Sequence, residues 1–144
     1  MPSVSGTYAL LIQVTAPRGI TVGRLGSFSL ASGWYVYIGS ARGSGGLAAR
    51  IRHHLRPPEV KRAHWHIDYL LAQVPVSKVI WATGEKRREC DWARQLLALP
   101  GAEIPIPKFG ASDCGCPSHL IRFTDEATAA ITLAALAKKP GQEG

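Results

Sequence analysis

The sequence predicts a single α/β domain in which an antiparallel sheet is flanked by helices. Its 144 residues suit one domain, and a hydrophobic content of 46% with 19% charged residues suits a globular chain that buries a core. Apolar and β-branched runs separated by short turns predict strands before Ser40. Apolar residues at helical spacing recur after Gly46. We therefore expect one domain over residues 1–138, followed by a disordered tail at 139–144.

Three strands are predicted near the N-terminus. Residues 6–14 are almost continuously apolar, which is typical of a strand covered on both faces. Residues 20–30 alternate loosely and predict one second strand, in which Gly23 and Gly26 indicate a bulge or a close backbone approach. The aromatic and β-branched run at 34–39 predicts the third strand. Because short turns join them, we expect a three-stranded antiparallel meander extended by further short strands.

The rest of the chain predicts helices and two short strands. Leu47, Ile51 and Leu55 recur every fourth residue and predict a helix that stops before Pro57, with these side chains inward. Further helices are expected at 64–72, 88–99 and 125–138, strands at 76–82 and 119–123, and an irregular stretch at 104–116.

The charge of the chain favours a polyanionic partner. The formal net charge is +7 and the sequence pI is about 9.7. Basic residues surround the first helix and precede the third, and the candidates for contact with a nucleic-acid backbone are Arg42, Arg52, Arg56, Lys61, Arg62 and Arg88. A plain solvated surface is the alternative. No base-reading helix is evident, so we expect selection by structure rather than by sequence.

The cysteines and the N-terminus bear on location. Three cysteines without a visible secretory signal favour a reducing compartment. No apolar run approaches the roughly 20 residues of a membrane-spanning helix. We expect a cytoplasmic protein that does not enter a membrane, and the oligomeric state stays open.

Five residues are candidates for chemistry. Arg50 and His54 lie one helical turn apart beside the buried stripe of the first helix. Glu89 lies in the first turn of the third helix, where it either stabilises the helix dipole or holds a hard cation such as Mg²⁺. Tyr8 and Tyr37 lie near strand ends, and both phenols reach one end of the sheet if their strands are adjacent. The plain alternative is that these groups cap the core and satisfy ordinary hydrogen bonds.

These residues resemble a known family when taken in order. Gly6-Thr7-Tyr8, Tyr37-Ile38-Gly39, Leu47-x-x-Arg50-x-x-x-His54 and Glu89 together resemble the GIY-YIG nuclease superfamily. Residues 64–70 and 110–120 resemble segments of a branch of uncharacterised domains, some of them fused to endonuclease III-like glycosylases. The resemblance covers most of residues 5–123. The chain departs from the family pattern at Thr7, in the longer loop after Gly39, and in lacking a clear match for an Asn near the end of the domain.

The resemblance implies a GIY-YIG-type fold and metal-dependent hydrolysis of DNA, with Mg²⁺ or Mn²⁺ as cofactor. Glu89 would bind the metal, and Arg50 would hold the scissile phosphate. Tyr8, with His54, would deprotonate or orient the attacking water. Tyr37 would position the phosphate or the water.

Two other functions remain open from the sequence. One is a domain of the same fold that binds nucleic acid without cutting it. The other is a zinc-stabilised interaction domain, for which the candidate ligands are Cys114, Cys116, His119, His64 and His66. The interpretation favoured over zinc is a tight hydrogen-bonded turn made by Ser112 and Asp113, with the cysteines as small buried groups. His64 and His66 either line the groove that binds nucleic acid or form a structural pair.

Overall fold

The structure is a computed structural model that describes residues 2–57, 65–86, 88–111 and 115–126, together with residues 128, 130 and 134. The elements in chain order are β1 (Gly6–Val14), β2 (Arg18–Val22), β3 (Gly26–Leu30), β4 (Gly33–Ala41), α1 (Gly46–Leu55), α2 (His66–Leu71), β5 (Lys78–Thr83), α3 (Glu89–Leu97) and β6 (Leu120–Phe123). The protein is thus a small mixed α/β domain, as the sequence predicts.

The main sheet has four antiparallel strands in the order β5-β1-β4-β6. The central pair is β1 and β4, whose register sets Tyr8 opposite Gly39 and Leu10 opposite Tyr37. This pairing meets the condition under which both candidate tyrosines were expected to reach one end of the sheet. It also brings both tyrosines to the same region of the sheet.

The predicted meander is wrong, because the predicted second strand is two strands. Residues 18–30 form a separate hairpin of β2 and β3, joined by a 3₁₀ turn at Gly23–Leu25. Gly23 and Gly26 both have positive φ, 47° and 121°, and this conformation, which suits glycine, reverses the chain. The hairpin leaves the main sheet, so β1 pairs directly with β4.

Helices cover both faces of the main sheet. On one face, Leu10 and Ile12 of β1 pack with Leu47 of α1 and Leu70 of α2 in a single buried cluster. On the other face, a second buried cluster joins alternate residues of the same strands to α3, including Leu11, Ile38, Trp92 and Leu96. Burial of side chains of this size stabilises the fold by about 1.5–3 kcal/mol each. The two faces therefore place α1 and α2 opposite α3.

The predicted helices and strands after Gly46 are confirmed within a few residues where the structure describes them. The prediction that Leu55 faces inward is wrong, because its side chain is 57% exposed. His54, only 3% exposed, faces the core at the end of α1 instead. The predicted helix at 125–138 lies largely, and the tail at 139–144 wholly, outside the described residues. No helix in the described part of the chain is long and apolar enough to cross a membrane.

Candidate functional site

A buried phenol–imidazole pair lies at the centre of the site. The Tyr8 hydroxyl oxygen of β1 is 2.7 Å from Nε2 of His54 on α1. Both residues are almost fully buried, at 1% and 3% exposed. The pKa of Tyr8 is raised well above its usual value of 10.0. Burial is the largest cause, and the nearby Tyr37 is the second. The phenol is therefore protonated at neutral pH and shares a hydrogen bond with the imidazole.

Two glycines make room for the tyrosines. A Cβ at Gly39 would lie 2.5 Å from the Tyr8 hydroxyl oxygen, so the phenol occupies the space that a side chain would fill. A Cβ at Gly110 would lie 2.9 Å from the ring of Tyr37. The Tyr37 ring centroid is 6.3 Å from that of Tyr8 and 6.4 Å from that of His54. Close packing thus holds the three rings in one group.

Arg50 supplies the positive charge of the site. Its guanidinium lies over the Trp65 ring, 4.1 Å from the centroid, and Nη1 donates a hydrogen bond of 2.8 Å to the Ser40 carbonyl. Burial has the largest effect on the pKa of Tyr8 and Tyr37 and raises both, whereas the Arg50 charge lowers both. Arg50 therefore acts electrostatically on both phenols.

A small cleft of about 220 Å³ opens beside Arg50. Its lining also includes Gly43, Ser44, His53 and Trp65. The cleft makes one side of Arg50 accessible, in contrast to the buried phenols.

Asp68 of α2 is a further polar residue of the site. Its carboxylate accepts hydrogen bonds from His53 Nε2, at 3.0 and 3.2 Å, and from the Trp65 backbone N–H at 2.9 Å. One carboxylate oxygen is 3.9 Å from His54 Nδ1. Asp68 was not among the candidate residues predicted from the sequence. It directly follows Ile67, which was expected to face inward, and a carboxylate near the core needs a partner because burying a lone charge is costly. Asp68 connects both histidines of α1.

Glu89 lies at the edge of the same group, as the first residue of α3. It is half-buried, and its carboxylate makes no hydrogen bond or ion pair within the described part of the chain. Burial is the main cause of the raised pKa of Tyr37 and the lowered pKa of His119, and the Glu89 charge raises both pKa values. The Glu89 carboxylate therefore lies within electrostatic range of Tyr37.

Thr7 fixes the start of α3. It is fully buried on β1, and its Oγ1 accepts a 3.3 Å hydrogen bond from the Arg88 backbone N–H, immediately before Glu89. This contact gives a structural role to the residue at which the sequence departs from the GIY-YIG pattern. It also couples the position of Glu89 to the strand that carries Tyr8.

Replacing Thr7 by Val is expected to lower the free energy of unfolding by about 1–3 kcal/mol, because the Arg88 N–H loses its buried partner. Urea denaturation followed by circular dichroism measures this loss. Thr21→Val is the matched control, since the Thr21 hydroxyl pairs with Ser27 on the surface and its loss is expected to cost less than about 0.5 kcal/mol. Equal losses in the two variants would show that the contact does not anchor α3.

The residues predicted to bind nucleic acid have mixed surroundings. Arg42 donates hydrogen bonds of 2.9 Å from Nη1 to the Gly84 carbonyl and from Nη2 to the Lys86 carbonyl. Arg88 Nη1 donates to the Thr83 carbonyl at 3.2 Å. Arg52 and Arg56 are exposed, whereas Lys61, Arg62 and His64 lie outside the described residues. Arg42 and Arg88 thus also support the β5–α3 connection, and contact with nucleic acid stays a prediction for the whole set.

His66 has a structural contact of its own. Its Nδ1 accepts a 2.8 Å hydrogen bond from the Gly110 backbone N–H. Burial lowers the pKa of His66 below its usual value of 6.5. The hydrogen bond requires an unprotonated Nδ1, and the lowered pKa favours the same neutral imidazole.

Stability is expected to fall as the pH drops below 6.5, the usual pKa of histidine, because the unfolded chain then binds a proton at His66 that the folded chain does not. Above that pH both states are neutral at this residue and the effect vanishes. Urea midpoints at pH 8 and pH 5 measure the fall. His66→Asn keeps an acceptor for the Gly110 N–H and is expected to reduce the difference between the two pH values; an unchanged difference would contradict the assignment.

The candidate zinc ligands are only partly brought together. A disulfide joins Cys90 and Cys116, with a Cα–Cα distance of 6.0 Å, and His119 Nε2 lies 3.9 Å from Cys90 Sγ. Cys114, Ser112 and Asp113 lie outside the described residues. Cys90 was not among the candidate zinc ligands, because it is distant in sequence from Cys114 and Cys116. The fold places it beside Cys116 and His119.

The comparisons with known proteins identify a family. The model of the family described as "Domain of unknown function DUF123" matches residues 7–141, which is nearly the whole chain. Neither the curated proteins nor the solved structures include a match. The family match begins at Thr7 within β1 and includes the later elements that position the site. The chain belongs to the DUF123 family of domains of unknown function.

Proposed function

We propose that this protein is a metal-dependent endonuclease of GIY-YIG type that hydrolyses DNA phosphodiester bonds, selects its substrate by structure and acts in repair. The observation that carries the proposal is the hydrogen bond between Tyr8 and buried His54. The Arg50 guanidinium acts electrostatically on Tyr8, and the Glu89 carboxylate acts on Tyr37 and has no partner among the described residues. A metal-dependent nuclease needs a group that accepts a proton from water, a cation for the phosphate and a ligand for the metal ion. Tyr8 with His54, Arg50 and Glu89 have the chemistry for these three tasks.

The proton of the attacking water passes through Tyr8 in this proposal. Because its pKa is raised by burial, the phenol stays protonated and acts as a relay: it takes a proton from water while giving its own to Nε2 of His54. The carboxylate of Asp68, 3.9 Å from Nδ1 of His54, stabilises the imidazolium that forms. His54 is then the final base and Asp68 its electrostatic support.

Arg50 and Tyr37 act on the phosphate. The Ser40 carbonyl and the Trp65 ring hold the guanidinium in one orientation, so little side-chain entropy is lost when a phosphate binds. A guanidinium presents a planar fork of donors that matches phosphate oxygens and offsets the charge that develops on them. The hydroxyl of Tyr37, near both Arg50 and Glu89, positions the phosphate or the water.

Glu89 fits a hard cation. A half-buried carboxylate without a protein partner in the described residues is a suitable ligand for Mg²⁺ or Mn²⁺, which are often held by one carboxylate plus waters. The bound metal would polarise the phosphoryl oxygen and stabilise the leaving oxygen. Since α3 is anchored through Thr7, Glu89 is held at a defined place beside Tyr37.

A second candidate function is nucleic-acid binding without hydrolysis. The observation that favours it is the burial of the phenols: Tyr8 is 1% and Tyr37 6% exposed, so a substrate reaches them only if the site opens. Arg50 and its cleft are accessible without such opening. Binding through Arg50 and the exposed Arg52 and Arg56 requires no change in structure.

The test is nicking of supercoiled plasmid and of branched DNA in the presence of Mg²⁺ or Mn²⁺. We expect cutting that EDTA abolishes and that Tyr8→Phe lowers by about 10²–10⁴-fold, the usual contribution of a group that transfers a proton. DNA binding, measured by gel shift in EDTA, should be unchanged in that variant. Binding without cutting of any DNA substrate under these conditions would favour the second function over the first.

A further inference from the structure

We propose that the reduced protein binds one soft metal ion, of which Zn²⁺ is the representative, through Cys90, Cys116 and His119. Sγ of Cys90, Sγ of Cys116 and one imidazole nitrogen of His119 all lie within 4.8 Å of one another. They come from three places in the chain: the first turn of α3, the loop before β6 and the residue before β6. Thiolate and imidazole are the donors that zinc prefers, in contrast to the oxygen donors of Mg²⁺.

The backbone around the two later ligands is firmly held. The His119 N–H donates to the Phe109 carbonyl at 2.8 Å, and the His119 carbonyl accepts from the Ile38 N–H of β4 at 3.0 Å. Next to Cys116, the Lys108 N–H donates to the Pro117 carbonyl at 2.7 Å. Because the loop is already ordered, metal binding by Cys116 and His119 costs less conformational entropy than binding by a disordered segment would.

The buried hydroxyl of Ser118 holds the same loop from inside. Its Oγ lies 3.0 Å from the Ile106 carbonyl and accepts a 3.1 Å hydrogen bond from the Leu120 N–H. Cys116 and His119 are themselves 8% and 5% exposed, so a metal bound between them is shielded from bulk solvent on that side. Cys90 is half-buried and leaves one side of the cluster open.

The disulfide between Cys90 and Cys116 defines the redox state in which the metal binds. A cellular dithiol reduces the bond: two electrons and two protons pass to the cysteine sulfurs, which become thiols, while the dithiol becomes a disulfide. Zinc then displaces both thiol protons and accepts the lone pair of His119. In a reducing environment the two cysteines are thiols, which is the form that binds the metal. Three protein donors leave the fourth position of a tetrahedral ion for water.

The proposed zinc site uses different ligands from the metal site proposed on Glu89, although the Glu89 charge acts on His119. The two sites adjoin in sequence, because Cys90 follows Glu89 in the first turn of α3. Zinc would bridge α3, on one face of the sheet, to the loop before β6, and so would restrain the helix that carries Glu89. The proposal does not depend on nuclease activity, since its readouts are metal content and thiol chemistry.

The test uses the full-length untagged chain, reduced and freed of metal. Titration with Co²⁺ is expected to produce a thiolate-to-cobalt charge-transfer band that saturates at one equivalent, and Zn²⁺ is expected to displace it. Zinc-loaded protein should retain about one zinc per chain after gel filtration, measured by elemental mass spectrometry. No charge-transfer band, or zinc content that falls to a small fraction of one equivalent, would overturn the proposal.

Alkylation of the wild-type chain keeps the test independent of variant folding, and a pair of cysteine variants then assigns the ligands. On the wild-type chain, zinc is expected to protect Cys90 and Cys116 from alkylation, as read by peptide mass spectrometry, and equal alkylation with and without zinc would contradict the assignment. Cys90→Ser is expected to lose the metal, whereas the control Cys114→Ser is expected to keep it. The reverse pattern would instead assign the ligands to the Cys114-x-Cys116 pair and overturn the proposal.

Discussion

Replacing Glu89 by glutamine is expected to lower metal-dependent DNA cutting by about 10³-fold or more, comparable to the loss of other groups that stabilise transition-state charge. Glutamine keeps the size of the side chain and one carbonyl oxygen, but it removes the negative charge that a divalent cation needs. The half-buried carboxylate has no hydrogen bond or ion pair with the residues that the structure describes, so no known contact is broken. The variant should therefore fold normally and bind DNA in EDTA as the wild type does.

Glu85→Gln is the matched control for this prediction. Glu85 lies four residues earlier in the chain and is exposed, so the same change of charge occurs close to the site but outside it. We expect its cutting rate to stay within about twofold of wild type, since surface substitutions have small effects. If Glu89→Gln cuts as fast as Glu85→Gln, the metal is held elsewhere and the proposed role of Glu89 is wrong. The two variants carry the same net charge, so a difference between them is not a long-range electrostatic effect.

The sequence predicted the central strands and the first helix because buried positions in these elements are occupied by apolar residues in a regular pattern. β1 is covered on both faces, and its continuous apolar run follows directly from the two cores that it separates. The hairpin was missed for a different reason. Gly23 and Gly26 were correctly singled out, but a bulge and a reversal of the chain use the same residue type, and only their positive φ angles distinguish the two.

The grouping of the candidate side chains was predicted better than their burial, and their roles stay predictions. The order of the motifs led to Tyr8, Tyr37, Arg50 and His54, and the structure brings these four together. Helical periodicity set the stripe of α1 at Leu47, Ile51 and Leu55, whereas the chain buries His54 instead of Leu55. Tyr8 shares a hydrogen bond with Nε2 of His54, and the Asp68 carboxylate lies 3.9 Å from its Nδ1. Periodicity records apolar residues and cannot foresee a polar residue that is buried by its partners.

The contacts of Arg42 and Thr7 lay beyond sequence analysis for a similar reason. Arg42 was grouped with the surface cations by composition, but two of its guanidinium nitrogens bind carbonyls of the β5–α3 connection. Thr7 was a departure from a motif, and its partner is a backbone N–H 81 residues away. Hydrogen bonds between side chains and distant backbone leave no spacing pattern. Such contacts become visible only when the topology is known.

Gly39→Ala is expected to disrupt the site and lower the free energy of unfolding by about 1–3 kcal/mol, the usual cost of overpacking a buried position. The added Cβ would lie 2.5 Å from the hydroxyl oxygen and 2.6 Å from the Cζ of Tyr8, and 3.1 Å from the ring of Tyr37. Tyr8 has little freedom to move, because its hydroxyl is bonded to His54 and its ring is buried. The methyl group must therefore displace the phenol or open the β1–β4 pair.

Gly43→Ala provides the control, because a Cβ at Gly43 meets nothing within 4 Å. Its urea midpoint should equal that of wild type or rise slightly, since alanine restricts the unfolded chain. The loss of stability in Gly39→Ala should be accompanied by loss of cutting, because the Tyr8–His54 hydrogen bond no longer has its geometry. If Gly39→Ala has the same urea midpoint and the same cutting rate as Gly43→Ala, Tyr8 does not need the space above Gly39. The close contact between the phenol and the glycine would then contribute nothing to the site.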